Sequence, residues 1–378
     1  MEHCNSHDQR QNALYQWATA YVQQYTNFQA QQLSVVSGDA SFRRYFRLHH
    51  TGGTYIAVDA PPEKENSRPF VAIAQALYAH GVHVPQIIAY DFDLGFMLLS
   101  DLGDTLLRPC LNDDTVDGLY QQAMRELVTI QSCSAPVDYP LPPYDSPRLM
   151  TEMALLKDWF ISQYLNITLS ADEVSLLDNT CQHIADEVAK QPTVFVHRDY
   201  HSRNLMIVDS NTLGVIDFQD AVVGAITYDL ASLLRDAYVE WPQERVVSWV
   251  EDFRQLLQQQ GQITQVDTAQ FLTWFDYMAA QRHLKVVGIF ARLSLRDGKH
   301  GYLDDIPLVF KYLLSEIKSY APLQPLYQWL CTRIVPAYLA KNPAAADTLT
   351  LALSLGEREL PLPEGEGRGE GGFEAHSL

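Results

Sequence analysis

Val196-His197-Arg198-Asp199-Tyr200-His201-Ser202-Arg203-Asn204-Leu205, followed beyond a polar turn by Val215-Ile216-Asp217-Phe218, carries the densest chemical pattern in this 378-residue chain. It reads H-x-D-x-x-x-x-N, then strand, turn, strand and an Asp at the strand's end. The apolar runs Val194–His197, Leu205–Val208 and Leu213–Ile216 predict three short strands, the last two joined at Asp209-Ser210-Asn211-Thr212. Phosphoryl transfer needs a carboxylate near the attacking hydroxyl and oxygen ligands that keep Mg²⁺ on a triphosphate. One loop and one hairpin supply all three. In that chemistry Asp199 orients or accepts the proton of the acceptor hydroxyl, Asn204 ligates the metal and Asp217 bridges metal and phosphates. His197 reads as a brace for the loop.

Upstream of this centre the texture is strand-rich. Leu14, Trp17, Ala18, Tyr21, Val22 and Tyr25 recur at helical spacing and predict an amphipathic helix over 9–26. Strands are expected at Leu33–Val36, Phe42–Leu48 and Thr54–Val58, then a helix over Pro69–His80, with Pro69 in its first turn and Gly81 at its stop. Two further strands fall at Gln86–Tyr90 and Phe96–Leu99. From Leu102 long helical patterns take over, one opened by the capping box Ser170-Ala171-Asp172-Glu173. The expected architecture is α+β and bilobal, with 1–99 as a small N-lobe and 100–355 as hinge and helical C-lobe. Residues 356–378 hold six of the nineteen glycines and six Glu, and are expected to form a disordered tail.

Composition narrows the partners. With 27 Lys+Arg against 46 Asp+Glu the net charge is −19, which disfavours nucleic acid as a ligand. Five scattered cysteines without C-x-x-C spacing argue against a disulfide framework or zinc site and fit a reducing cytoplasm. No apolar run is long enough for a membrane span, and no leader follows a basic start. The expectation is a soluble, cytoplasmic protein.

The catalytic stretch resembles the aminoglycoside phosphotransferase and choline kinase branch of the protein-kinase-like fold, over about residues 30–340. That likeness extends to Thr227-Tyr228-Asp229-Leu230-Ala231, where it implies that Asp229 braces the catalytic loop, and it tolerates Asp217-Phe218-Gln219 in place of D-F-G. More specific is the resemblance to bacterial N-acetylmuramate/N-acetylglucosamine kinases of cell-wall recycling. It rests on Ser37-Gly38-Asp39-Ala40-Ser41-Phe42-Arg43-Arg44-Tyr45, Val58-Asp59-Ala60-Pro61-Pro62-Glu63, Leu99-Ser100-Asp101-Leu102-Gly103 and the run from Gln281 to Leu293. The resemblance implies ATP or GTP as donor, Mg²⁺ as cofactor, and phosphorylation of the anomeric hydroxyl of an amino sugar to its 1-phosphate. An aminoglycoside or choline-like acceptor, and a non-catalytic binder of the same fold, stay as alternatives.

Two kinase features are missing. The turn Ser37–Ser41 has only Gly38, so phosphate contacts there fall to backbone amides, the hydroxyls of Ser37 and Ser41, and Arg43 or Arg44. Strand alternation lets at most one of those arginines face the nucleotide. Asp59 stands close to where protein kinases carry a phosphate-binding Lys, and the helix after it has no Glu to pair with one; Lys64 or Arg68 are candidate substitutes. Leu99, Ser100, Asp101 and Leu102 mark the crossing between lobes, either an adenine-edge contact or a plain connector. Arg282, Lys285, Arg292, Arg296 and Lys299 form a basic island, with Asp297 its lone carboxylate. Such a face suits an acceptor bearing a carboxylate and disfavours a polycation.

Overall fold

In a computed structural model of the protein, the structure describes residues 2–38, 42–210 and 212–349, the side chains of 2–8 and of 37–38 excepted. Helix α1 (Glu2–Tyr25) lies on a five-stranded antiparallel sheet, β1 (Ala30–Gly38), β2 (Arg44–His50), β3 (Gly53–Asp59), β4 (Ile87–Asp91) and β5 (Phe96–Ser100), with α2 (Arg68–Ala79) between β3 and β4 in the chain. The strand order is β1-β2-β3-β5-β4. Alternation divides the sheet's faces: Phe46, Leu48, Ala57, Phe96 and Leu98 pack on Leu14, Ala18 and Val22 of α1.

Asp59 closes that α1 face. It is fully buried at the end of β3 and accepts from Arg10 of α1 (2.9 and 2.5 Å) and from Arg44 of β2 (3.1 and 2.5 Å). A carboxylate thus stands close to where protein kinases carry a phosphate-binding lysine. Buried charge persists only when paired, and here two guanidinium groups pair it.

The C-terminal part comprises α3 (Val116–Gln131), α4 (Ser146–Leu155), a π-helical continuation over Leu156–Tyr164, α5 (Ala171–Val188), β6 (Thr193–Val196), β7 (Leu205–Asp209), β8 (Thr212–Val215), β9 (Val222–Ala225), α6 (Tyr228–Leu234), α7 (Gln243–Gln259), α8 (Thr268–Asp297), α9 (Ile306–Ile317), α10 (Gln324–Trp329) and α11 (Val335–Lys341). The capping box forms as its residues predict: Glu173 N donates to Ser170 Oγ (3.2 Å), and Ser170 N to Glu173 Oε2 (2.8 Å). Asp267 caps α8, and Gly298, at φ 68°, ends it.

Two strand pairings assemble the centre. β7 pairs with β8, and β6 pairs with β9, so the 197–204 loop and the 216–221 segment lie side by side. A helix contact brings in the third wall. At Gly288 the long helix α8 meets the end of α4 so closely that a Cβ would stand 2.3 Å from the Leu155 carbonyl carbon. Only glycine allows that approach, and it sets Arg282 and Lys285, upstream on α8, against the 197–204 loop. Among the described residues no helix is long and apolar enough to cross a membrane.

Candidate active site

The loop after β6 is built from backbone hydrogen bonds to buried side chains. Asp229, at the start of α6, accepts from His197 N (2.7 Å) and Arg198 N (3.0 Å). That holds Arg198 at φ 78°, a left-handed conformation costly for a side-chain-bearing residue. His197 Nδ1 accepts from Asp199 N (3.2 Å), which leaves the Nε2 proton to donate to Ile216 O (3.0 Å). One imidazole therefore ties the catalytic loop to the strand end before Asp217. Burial keeps that ring neutral, lowering its pKa to about 4. Tyr200 drives its ring into the core and donates to Ala123 O of α3 (2.8 Å), and Ser202 N and Oγ both donate to Asp236 Oδ2 (3.0 and 2.5 Å).

On this frame Asn204 Nδ2 donates to Asp199 O (3.0 Å) and to Asp217 Oδ2 (3.2 Å), and Gln219 Nε2 donates to Asp217 Oδ1 (2.6 Å). Asp217 itself sits at φ 66°. Committing the Asn204 amide nitrogen to these acceptors reserves its carbonyl oxygen for a cation. Asn and Asp side by side give two oxygen ligands, the number at which Mg²⁺ takes its remaining ligands from water and phosphate. Among the described residues no group of three or more His, Cys, Asp or Glu could hold a metal alone. The pair fits a triphosphate-borne Mg²⁺ better than a free-standing metal centre.

Two cavities open on either side of the pair. The first, about 410 Å³, lies between the sheet and the C-terminal part, lined by Tyr45, Ile56, Phe70, Leu99, Met206 and Phe218, with Ser100, Asp101 and Leu102 at its edge. An apolar cavity of this volume, edged by the segment that crosses between the two parts of the chain, suits a purine base. Arg47 of β2 clamps this edge: it donates to Asp101 (2.5 and 3.1 Å) and Asp104 (3.1 and 2.8 Å). Burial would raise the Asp101 pKa, but the Arg47 hydrogen bond, the Gly103 amide and the Thr54 hydroxyl together hold it below the usual carboxylate value.

The second cavity, about 860 Å³, is lined by Asp199, His201, Tyr228, Tyr238, Arg282 and Lys285, with Val286, Ile289, Phe290 and Tyr302 forming an apolar side. Lys285 Nζ reaches Glu152 Oε2 (2.8 Å) and donates to Tyr228 Oη (3.0 Å), while Arg198 donates to Glu152 Oε1 (2.6 Å). Arg282 is 5% exposed, and its Nη1 is buried without a hydrogen-bond partner among the described residues. Burial would lift the Asp199 pKa, yet Lys285, His201, Arg198 and Arg282 outweigh it and keep the carboxylate ionised. An ionised carboxylate facing this cavity has the charge state that proton acceptance requires. Leu106, Arg203, Asn204 and Asp217 line both cavities.

The model of the phosphotransferase enzyme family matches residues 32–291. The chain belongs to that family. It is a phosphotransferase with a hydroxyl group as acceptor. The N-acetylmuramate/N-acetylglucosamine kinase of Pseudomonas putida is 44% identical to it over 284 residues, covering 75% of this chain and 83% of that protein. The kinase of the same name from Pseudomonas aeruginosa is 40% identical, covering 80% and 88%. Among solved structures, an ethanolamine kinase from Plasmodium vivax shares the fold at a TM-score of 0.57 and 11% identity, covering 83% of this chain and 90% of that one. The bilobal, protein-kinase-like architecture is thereby shared.

Set against the residues singled out from sequence, the phosphotransferase gathers some and disperses others. Asp199, Asn204, Asp217, His197 and Asp229 form one bonded unit, and Leu99 to Leu102 edge the smaller cavity. Ser41 lies outside the described residues, as do the side chain of Ser37 and the tail 356–378. Arg43 is buried beside Glu65 (3.4 Å) over the Phe70 ring. Arg44 is not brought to the cleft, because its guanidinium is held by Asp59 on the α1 face. Lys64 and Arg68 lie over the rings of Phe42 and Phe92 and line neither cavity. The basic island divides: Arg282 and Lys285 wall the larger cavity, Arg296 pairs with Asp297 (2.8 and 2.9 Å), and Arg292 and Lys299 are absent from the lining. Arg203 lines both cavities and Arg47 clamps the edge of the smaller one, without either belonging to the residues that the sequence motifs single out. Arg203 had a signal, standing next to Asn204 in the catalytic loop; Arg47 had none, since its partners Asp101 and Asp104 lie more than fifty residues on in the chain.

Proposed function

We propose that this chain transfers the γ-phosphoryl group of ATP to the anomeric hydroxyl of N-acetylmuramic acid or N-acetylglucosamine, yielding the sugar 1-phosphate and ADP. The observation that carries the reading is the junction of the two cavities at Asn204 and Asp217, with ionised Asp199 on the larger side. The purine occupies the slot edged by Leu99 to Leu102, so its phosphates run toward Asn204 and Asp217. These two hold Mg²⁺, which neutralises phosphate charge when bound. The sugar fills the larger cavity. As its oxygen bonds to the γ-phosphorus, the bond from that phosphorus to the β,γ-bridging oxygen breaks, ADP leaves, and the hydroxyl proton passes to Asp199.

Charge at the acceptor wall supports a neutral or anionic sugar. Lys285 is shared between Glu152 and Tyr228, but Arg282 makes no ion pair with a carboxylate among the described residues and its Nη1 is unbonded there, so a polycationic aminoglycoside would meet it unfavourably. The curated relatives carry the name of the same amino-sugar activity. The four described cysteines are free thiols, which fits a cytoplasmic site of action. A coupled ADP-release assay on N-acetylmuramic acid, N-acetylglucosamine, kanamycin and choline tests the acceptor class: turnover confined to the two sugars supports the reading, and turnover on kanamycin or choline alone overturns it.

A further inference from the structure

The smaller cavity has an electrostatic imbalance. Asp101, Asp104 and Asp217 line it, and Arg203 is the one cation that does so among the described residues. A triphosphate brought there carries about four negative charges, more than a single Mg²⁺ neutralises. In kinases of this architecture a strand lysine shares that load, yet here Asp59 ends β3 and is engaged by Arg10 and Arg44. Arg47 is taken up by Asp101 and Asp104.

Arg203 stands where the deficit is greatest. It lines both cavities, beside Asn204 and Asp217, where a γ-phosphoryl group would meet its acceptor. Its guanidinium carbon lies 3.4 Å from the centroid of the Tyr238 ring, and among the described residues it makes no hydrogen bond or ion pair with a carboxylate. Stacking occupies the face of a guanidinium and leaves its in-plane N–H donors for another ligand, the geometry that suits phosphate oxygens. Loop and platform are fixed to each other. Asp236 Oδ2 accepts from Ser202 N and Oγ, and Asp236 Oδ1 accepts from Tyr238 N (3.1 Å), so one carboxylate holds both the residue before Arg203 and the backbone of the tyrosine whose ring it stacks on. Burial raises the Asp305 pKa, against the pull of Arg203 and Arg108.

We infer that Arg203 is a catalytic residue that binds the oxygens of the γ-phosphoryl group during transfer, replacing from the catalytic loop the charge that a strand lysine supplies elsewhere. Donors preset for a phosphoryl group in transit act chiefly on the transition state. The inference rests on the phosphotransfer reading above, and its test separates the two. Wild type, Arg203→Met, Arg203→Lys and Tyr238→Leu are compared, with thermal unfolding as the check on folding. Calorimetry gives Kd for Mg·AMP-PNP and Mg·ADP, and steady-state assays on the two sugars give kcat. The expected result for Arg203→Met is loss of the preference for triphosphate over diphosphate, an ADP Kd within about twofold of wild type, and kcat lower by about 10²–10³-fold. Arg203→Lys falls between, and Tyr238→Leu repeats the pattern more weakly. A kcat for Arg203→Met within threefold of wild type, or equal weakening of both nucleotides, overturns the inference. Should the wild type phosphorylate neither sugar, the acceptor reading falls, while the ratio of nucleotide affinities still decides the role of Arg203.

Discussion

Asn204 Nδ2 lies 3.2 Å from Asp217 Oδ2, joining the end of the catalytic loop to the end of the following hairpin. The two side chains are unequal partners for a cation, one offering a full charge and the other a carbonyl dipole. Asn204→Ala is expected to raise the Mg²⁺ concentration needed for half-maximal activity, with much of the rate recovered at saturating metal. Asp217→Ala is expected to lose activity that added Mg²⁺ does not restore. Metal titrations of both variants check this; equal, metal-independent losses would mean that the pair is only structural.

The larger cavity separates Arg282 and Lys285 from the other three cations of α8 and its end. Arg282→Met is expected to lower kcat/KM for N-acetylmuramic acid about 10- to 150-fold relative to N-acetylglucosamine, the worth of a hydrogen bond to a charged group. Arg296→Ala, at an exposed residue bonded to its neighbour Asp297, should change both sugars alike and little. N-acetylmuramic acid carries a lactyl carboxylate that N-acetylglucosamine lacks, so an unchanged ratio of the two substrates in Arg282→Met would place that carboxylate elsewhere.

Burial raises the Asp229 pKa from its ordinary 3.8 to about 7, against the pull of the His197 and Arg198 amides. Between about pH 4 and pH 7 the native state therefore binds this proton more tightly than the unfolded chain. The stabilising contribution is complete below pH 4 and is lost as pH rises through 7. The amide in Asp229→Asn does not titrate. Its destabilisation relative to wild type should be largest near pH 4.5 and shrink by pH 7.5, by on the order of 3 kcal/mol. Urea unfolding of both proteins at the two pH values checks the trend, and a gap that widens with pH would show that Asp229 titrates as an ordinary acid.

Asp59 sits behind the sheet, bonded to α1, and lines neither cavity. Asp59→Asn should cost about 1.5–3 kcal/mol of stability, reduced by solvent around the partly exposed arginines, with KM for ATP within about twofold of wild type. A large rise in KM at unchanged stability would return this position to the phosphate site.

What could be read from the sequence was mostly local. The Asp199, Asn204 and Asp217 pattern lies within nineteen residues, and each of the short strands that bring them together is an apolar run between polar turns. The partner of β6 escaped, because β9 is four residues, Val222-Val223-Gly224-Ala225, with no alternation to betray it. Helix α1 begins at Glu2, ahead of the first apolar position in its stripe. On α8, the charges are visible in sequence but the face that meets the loop depends on the Gly288 crossing, a tertiary contact. The ion pair of Arg47 with Asp101 joins distant segments and could not be read from neighbours, whereas that of Arg44 with Asp59 depends on the register of the β2–β3 hairpin, which sets the two opposite each other.

The central claim is that Asp199 promotes phosphoryl transfer to a sugar's anomeric oxygen. Phosphorus NMR of wild type and Asp199→Asn, each incubated with ATP, Mg²⁺ and N-acetylmuramic acid or N-acetylglucosamine, measures it directly. Wild type should give a new phosphomonoester resonance coupled to the anomeric proton with both sugars. Asp199→Asn, with sugar and nucleotide affinities near wild type, should form it about 10²–10⁴-fold more slowly. A product coupled to any other sugar proton, or a variant that retains most of the wild-type rate, would contradict the account.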